Sequence, residues 1–145
     1  MNQFMSEALK EAQKGLAAGG IPIGSVVVKN GKIVGRGHNR RVQGNSAILH
    51  AEIDALESIG RQSASFYSDV VLYTTLSPCS MCSGAILLYK IPHVVIGENR
   101  NFLGEEDLLK ARKVIVEVLS DRDCIEMMRN FILSKPLLWN EDIGI

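Results

Sequence analysis

The sequence predicts an α/β fold, a three-layer α/β/α arrangement around a central mixed sheet of five strands. Three observations carry this expectation. Some segments repeat apolar residues at helical spacing, while others are short β-branched runs. An Asn-Gly pair between two such runs signals a hairpin, so the first strands pair antiparallel. After the hairpin, strands alternate with helices, the order that covers both faces of a sheet.

The elements follow in order. Residues 3–18 set Phe4, Met5, Ala8, Leu9, Ala12 and Leu16 at helical spacing, and Gly19-Gly20 ends that helix. Residues 23–28 are rich in Ile and Val and read as a strand, Asn30-Gly31 turns the chain, and Lys32 to Gly37 returns. Residues 38–48 are polar and lack periodicity, hence a loop. His50 to Ile59 fits a helix closed by Gly60, and Val70 to Thr75 fits a strand. Pro78 suits the first turn of a helix that runs to about Tyr89. Pro92 breaks it, and His93 to Gly97 forms the next strand. Residues 98–111 read as a charged loop with a helical turn, and Lys113 to Leu119 as a strand. Asp121 to Leu133 reads as a helix with Ile125, Met128, Ile132 and Leu133 inward, and Pro136 opens a C-terminal tail, Leu137 to Ile145. No repeat or linker interrupts this order, so residues 1–145 are expected to form a single domain.

Composition narrows the function classes. A chain of 145 residues, 46% hydrophobic and 22% charged, suits one domain with an ordinary core. It is not collagen-like, disordered or of low complexity. Sixteen basic and 16 acidic residues cancel, so a general attraction to nucleic acid is not expected. No apolar run approaches the ~18 residues of a membrane span, and Met1-Asn2-Gln3-Phe4 lacks the pattern of a signal peptide. A cytoplasmic location is expected. Three cysteines, two of them spaced C-x-x-C, suit metal or redox chemistry better than structural disulfides.

The informative residues are His50-Ala51-Glu52 and Pro78-Cys79-Ser80-Met81-Cys82. Zinc favours imidazole and thiolate, and a catalytic zinc commonly takes three protein ligands plus water. His50, Cys79 and Cys82 supply such a set. Cys79 and Cys82, three apart, share a helix face, and a helix N-terminus favours thiolate. Residues two apart do not share a face in mid-helix. His50 and Glu52 therefore meet at one site only if a helix start points at it. Glu52 would then stand beside a metal-bound water and serve as proton shuttle. H-x-E followed by P-C-x-x-C is the signature of zinc nucleobase deaminases. A structural zinc site and a C-x-x-C redox site stay open as alternatives; the first usually needs a fourth ligand, and the second leaves His-x-Glu unexplained. Cys124 reads as a core thiol, and His38 and His93 as structural histidines satisfied locally.

Beyond the metal motifs, the chain resembles the fungal-type cytosine deaminases within the cytidine deaminase-like zinc superfamily. The resemblance runs through Gly20-Ile21-Pro22-Ile23-Gly24, Gly35-Arg36-Gly37-His38-Asn39, Leu49-His50-Ala51-Glu52-Ile53 and Tyr73-Thr74-Thr75-Leu76-Ser77-Pro78-Cys79-Ser80-Met81-Cys82. It continues at Gly97-Glu98-Asn99-Arg100-Asn101-Phe102 and ends at Trp139-Asn140-Glu141-Asp142-Ile143-Gly144. Ala51, Asn140 and the chain end depart from the family's pattern; some cytosine deaminases have glycine where Ala51 stands. The resemblance implies one zinc ion per subunit on His50, Cys79 and Cys82, with Glu52 as the shuttle. It implies hydrolytic deamination of the free base cytosine to uracil and ammonia, to which the Asn101-Phe102 loop and the Trp139 to Gly144 tail point. Asn39 would bind the polar edge of the base, Phe102 and Trp139 would wall the ring above Ile23, and Asp142 would accept from the exocyclic amino group. Backbone groups near Ala51, Ser77 and Cys79 would complete the contacts. Taken singly, Asn39 reads as a turn residue, the two aromatics as core anchors and Asp142 as a solvated carboxylate; the joint match lifts them. The family implies a homodimer. Deamination of guanine, another amino-heterocycle or tRNA adenosine, and a non-catalytic zinc-binding subunit, are the competing functions.

Overall fold

The computed structural model describes residues 2–145. Its helices are α1 (Gln3–Ala17), α2 (Ala51–Ile59), α3 (Ser80–Leu88), α4 (Glu106–Ala111), α5 (Arg122–Ser134) and α6 (Pro136–Asp142). Its strands are β1 (Gly24–Lys29), β2 (Lys32–His38), β3 (Val70–Leu76), β4 (His93–Glu98) and β5 (Ile115–Val118). They form one mixed sheet in the order β2-β1-β3-β4-β5. β1 pairs antiparallel with β2 and β3, and β3, β4 and β5 run parallel. The expected three-layer α/β/α fold with five strands is the observed one.

Side-chain alternation builds the two cores. Val27, Leu72, Val94 and Ile96 pack with Ala55 of α2, Ile86 of α3 and Leu109 of α4. Val26, Val28 and Val95 point the other way, to Met5, Ala8 and Leu9 of α1 and Cys124 of α5. A third cluster joins Ile21, Ile23, Ala51, Leu76, Met128, Phe131 and Trp139. It lies by the C-terminal ends of the parallel strands, where open α/β sheets place their sites. The hairpin turn is built as expected, with Asn30 and Gly31 both at positive φ (52° and 75°).

Several expectations are corrected. Pro78 is not in the first turn of α3: Cys79 is the N-cap and Ser80 the first helical residue. The Pro78 carbonyl is instead bonded to Glu105 N (3.0 Å). The charged loop after β4 ends in a true helix, α4, and the C-terminal tail is also a helix, with Pro136 opening α6 at its first turn. On α5 the buried residues are Cys124, Met128 and Phe131, while Leu133 is 76% exposed. Phe131 wins the inward position because it faces the third cluster beside Trp139. β5 is shorter than expected at its start because Lys113 turns with φ 68°, outside strand geometry. A 3-10 turn over Ala64–Asp69, invisible to periodicity, buries Tyr67 before β3.

Candidate active site

Two helix starts converge on the site. His50 is the N-cap of α2 in extended conformation (φ −68°, ψ 165°), and Glu52 lies in the first turn. Cys79 is the N-cap of α3 (φ −68°, ψ 177°), with Cys82 one turn on. This is how residues two apart, His50 and Glu52, come to serve one point. Glycine lets α2 press on the sheet to bring them there. At Gly37 of β2 a Cβ would sit 2.5 Å from Ala55 N, so no larger residue fits. The Asp54 carboxylate seals the same contact, accepting from His38 N (3.0 Å) and Arg40 Nε (2.8 Å).

His50, Cys79 and Cys82 present their ligand atoms within 4.8 Å of one another. His50 Nδ1 lies 3.5 Å from Cys79 Sγ and 3.7 Å from Cys82 Sγ. Zn–N and Zn–S bonds of usual length at tetrahedral angles hold N and S roughly 3.6 Å apart. The donor set and its spacing therefore fit zinc. Metal-binding histidines usually meet a carboxylate at the second ring nitrogen. Here His50 Nε2 is 3.4 Å from Asp142 Oδ1.

The electrostatics are those of a buried, charged corner. Burial pushes Glu52 up to about 7, against the pull of His50 and with help from Cys79. Interaction with Cys82 brings Cys79 down to about 4, against burial and assisted by His50. Cys82 moves the opposite way, raised by Cys79 and by burial. Burial opposes the His50 cation, yet Cys79, Asp142 and Glu52 together lift it to about 9. Burial raises Asp142, partly offset by His50, Asn39 and Arg41.

Beside the ligands lies a pocket of about 290 Å³, its solvent-facing mouth included. Of the residues singled out in the sequence, Ile23, Ser77, Phe102, Trp139 and Asp142 line it together with His50, Glu52 and Cys79. Phe102 and Trp139 meet edge to face, centroids 6.0 Å apart. Asn39 and Ala51 are buried and stand behind the lining. Asn39 Nδ2 donates to Asp142 Oδ1 (2.9 Å), and its Oδ1 accepts from Arg41 N (3.0 Å). Ala51 packs in the apolar cluster beneath. Leu76 and Ile143 also line the pocket and were not singled out; apolar side chains carry no chemical signature, and only their places beside Ser77 and Asp142 could have pointed to them. Cys124 is buried away from this cluster against Gly97. His38 is bonded to Glu11 (3.1 Å), and His93 to Glu117 (2.9 Å).

Residues 1–98 match the family model described as the cytidine and deoxycytidylate deaminase zinc-binding region. The chain belongs to this deaminase family. It is therefore a hydrolase of C–N bonds, and its His/Cys/Cys cluster fits one zinc ion per chain. The chain is 54% identical to a cytosine deaminase of Candida albicans, over 94% of this chain and 92% of that protein. It is 44% identical to a tRNA-specific adenosine deaminase of Streptococcus pyogenes, over 88% of this chain and 87% of the relative. Among solved structures, a guanine deaminase from Nitrosomonas europaea superposes with a TM-score of 0.72 at 25% identity, covering 88% of this chain and 82% of that one.

Proposed function

We propose that this deaminase hydrolyses free cytosine to uracil and ammonia. The observation that carries the reading is the end of α6. Trp139, Asp142 and Ile143 from it line the small pocket beside the ligands, which favours a free base over one carrying a sugar. The similarity to the Candida cytosine deaminase along almost the whole chain supports the same choice.

In this reading His50, Cys79 and Cys82 hold the zinc. The ion they would hold would supply an activated water as the nucleophile near neutral pH. Glu52 moves the protons. It takes one from the water and delivers it to ring N3 as the oxygen adds to C4, then carries the second water proton to the amino nitrogen as the C4–N bond breaks and ammonia leaves. Burial of Glu52 suits it to this work, because a shuttle must both take and give a proton near neutral pH. Phe102 and Trp139 flank the ring above Ile23. Asp142 accepts from the exocyclic amino group. Asn39, buried behind the lining, orients Asp142 through the bond they share. Backbone groups of Ala51, Ser77 and Cys79 complete the polar contacts.

We also propose that residues 1–145 are one domain, that the protein is a cytoplasmic homodimer and that it serves pyrimidine salvage. Leu88 on α3 and Leu137 on α6, 69% and 81% exposed, are apolar surface that a second copy would cover. Sedimentation at micromolar concentration reads the dimer directly. The deciding assay for substrate is ammonia release from zinc-loaded protein given cytosine, cytidine, guanine, adenine and a tRNA substrate in parallel. Cytosine is expected to turn over fastest by at least about two orders of magnitude; a site built to pair a polar edge rejects the wrong one strongly. Faster release from guanine or tRNA overturns the assignment.

A further inference from the structure

The loop between β4 and α4 presents Phe102 to the pocket, and two buried carboxyl groups fix its course. Glu98, at the end of β4, accepts from Arg100 N (2.7 Å), Asn101 N (3.0 Å) and Asn101 Nδ2 (2.8 Å). Glu106, at the start of α4, accepts from Asn99 Nδ2 (3.2 Å) and Ser77 Oγ (2.6 Å). Ser77 Oγ in turn accepts from Gly104 N (2.9 Å). Next to it, Glu105 N donates to Pro78 O (3.0 Å). The approach is so close that a Cβ on Gly104 would lie 1.8 Å from Pro78 O. The loop that carries the aromatic wall is thus bonded to the two residues that precede the ligand Cys79.

We propose that Glu106 is a positioning residue which, acting through the Ser77 hydroxyl, locks the Phe102 wall to the Cys79 turn. The grip on zinc and the closure of the pocket are thereby coupled. This rests on the reading of the site as a zinc deaminase site. The physical argument is directional. A serine hydroxyl has one proton. Glu106 takes it, which leaves the oxygen to accept from Gly104 N. A glutamine at this position turns an NH2 group toward either Ser77 or Asn99, and both are donors to Glu106. One of the two bonds must break or reverse, inside a buried site where an unmade hydrogen bond is costly.

The test compares the zinc-loaded protein with Glu106→Gln, Gly104→Ala and Ser77→Ala. Three quantities are read: the rate of zinc transfer to a coloured chelator, acrylamide quenching of Trp139, which is the single tryptophan, and kcat and KM for cytosine. Glu106→Gln is expected to release zinc about tenfold faster, the scale of one lost bond to a charged acceptor. Trp139 quenching should rise with it, and KM should rise more than kcat falls. Gly104→Ala, which wedges the loop off Pro78 with Glu106 intact, should give the same signature and carries the test if Glu106→Gln does not fold. Adding Glu106→Gln to Ser77→Ala should change zinc release less than about twofold, because the two act in series. Faster zinc release without a change at Trp139, or a lowered melting temperature with zinc release and KM unmoved, overturns the proposal. Zinc release and quenching use no cytosine, so they decide the coupling even if cytosine is not the substrate.

Discussion

At the scale of single residues, Glu52 and Asp142 separate chemistry from binding. Both are buried acids beside His50, but only Glu52 stands in the first turn of α2 beside the ligands. Glu52→Ala is expected to keep zinc at wild-type occupancy and to lose at least about three orders of magnitude in turnover, within the range of a lost general acid–base. Metal analysis and ammonia release on one preparation check it; robust turnover removes Glu52 from the scheme. Asp142→Ala is expected to bind zinc less tightly, for want of the carboxylate at His50 Nε2, and, when zinc-loaded, to raise KM for cytosine at least about tenfold, the scale of a lost hydrogen bond to a charged acceptor. An unchanged KM would leave Asp142 only its contacts with Asn39 and His50. The ligand cluster was legible in the sequence because zinc demands particular donor types at particular spacing. The Asn39–Asp142 bond was not, since it joins residues 103 positions apart through a helix that reads as a tail.

At the scale of elements, the legible features were those with long periodicity or a strong turn signal. α1 and the β1–β2 hairpin came through almost to the residue. α4 and α6 did not, because six and seven residues give periodicity less than two turns to show itself. Glu106 and the Ser77 clamp were hidden for another reason: a buried carboxyl looks like a surface one until its partners are known. The α1–β2 contact offers a test of how such groups support the fold. Glu11 is 3% exposed and accepts from Lys14 (2.9 Å) and His38 (3.1 Å), with Glu7 and Arg36 beside them. Burial raises its pKa, but the bonds from Lys14 and His38 and the charges of Lys14 and Arg36 outweigh it and hold it below the ordinary 4.5. A carboxyl with a depressed pKa adds stability above its unfolded value, and that stability is lost as pH falls through the folded value. Glu11→Gln is therefore expected to lower stability at pH 7 and to flatten its decline on acidification below about 4.5. Urea unfolding at pH 7, 5 and 4 measures this; a wild-type slope between pH 5 and 4 would show that the network adds nothing to acid resistance.

At the scale of the whole molecule, the layer order was legible because alternating strands and helices admit few arrangements. The assembly of the pocket was not, since it is lined by groups from β3, the loop after β4 and α6 together. Charge supplies the remaining discrimination. The relatives include enzymes of a free base and of tRNA, and 16 basic against 16 acidic residues give this chain no net attraction for a polyanion. A tRNA substrate held by several phosphate contacts would lose binding steeply with salt, by roughly 10³–10⁵ between 50 and 200 mM for six to ten contacts. A neutral base releases no counterions when it binds. The kcat/KM for cytosine is accordingly expected to change less than about twofold between 50 and 500 mM salt. Added tRNA at 50 mM salt is expected not to compete. Competition by tRNA that disappears steeply as salt rises would mark a phosphate-binding surface, and the substrate would then have to be sought in RNA.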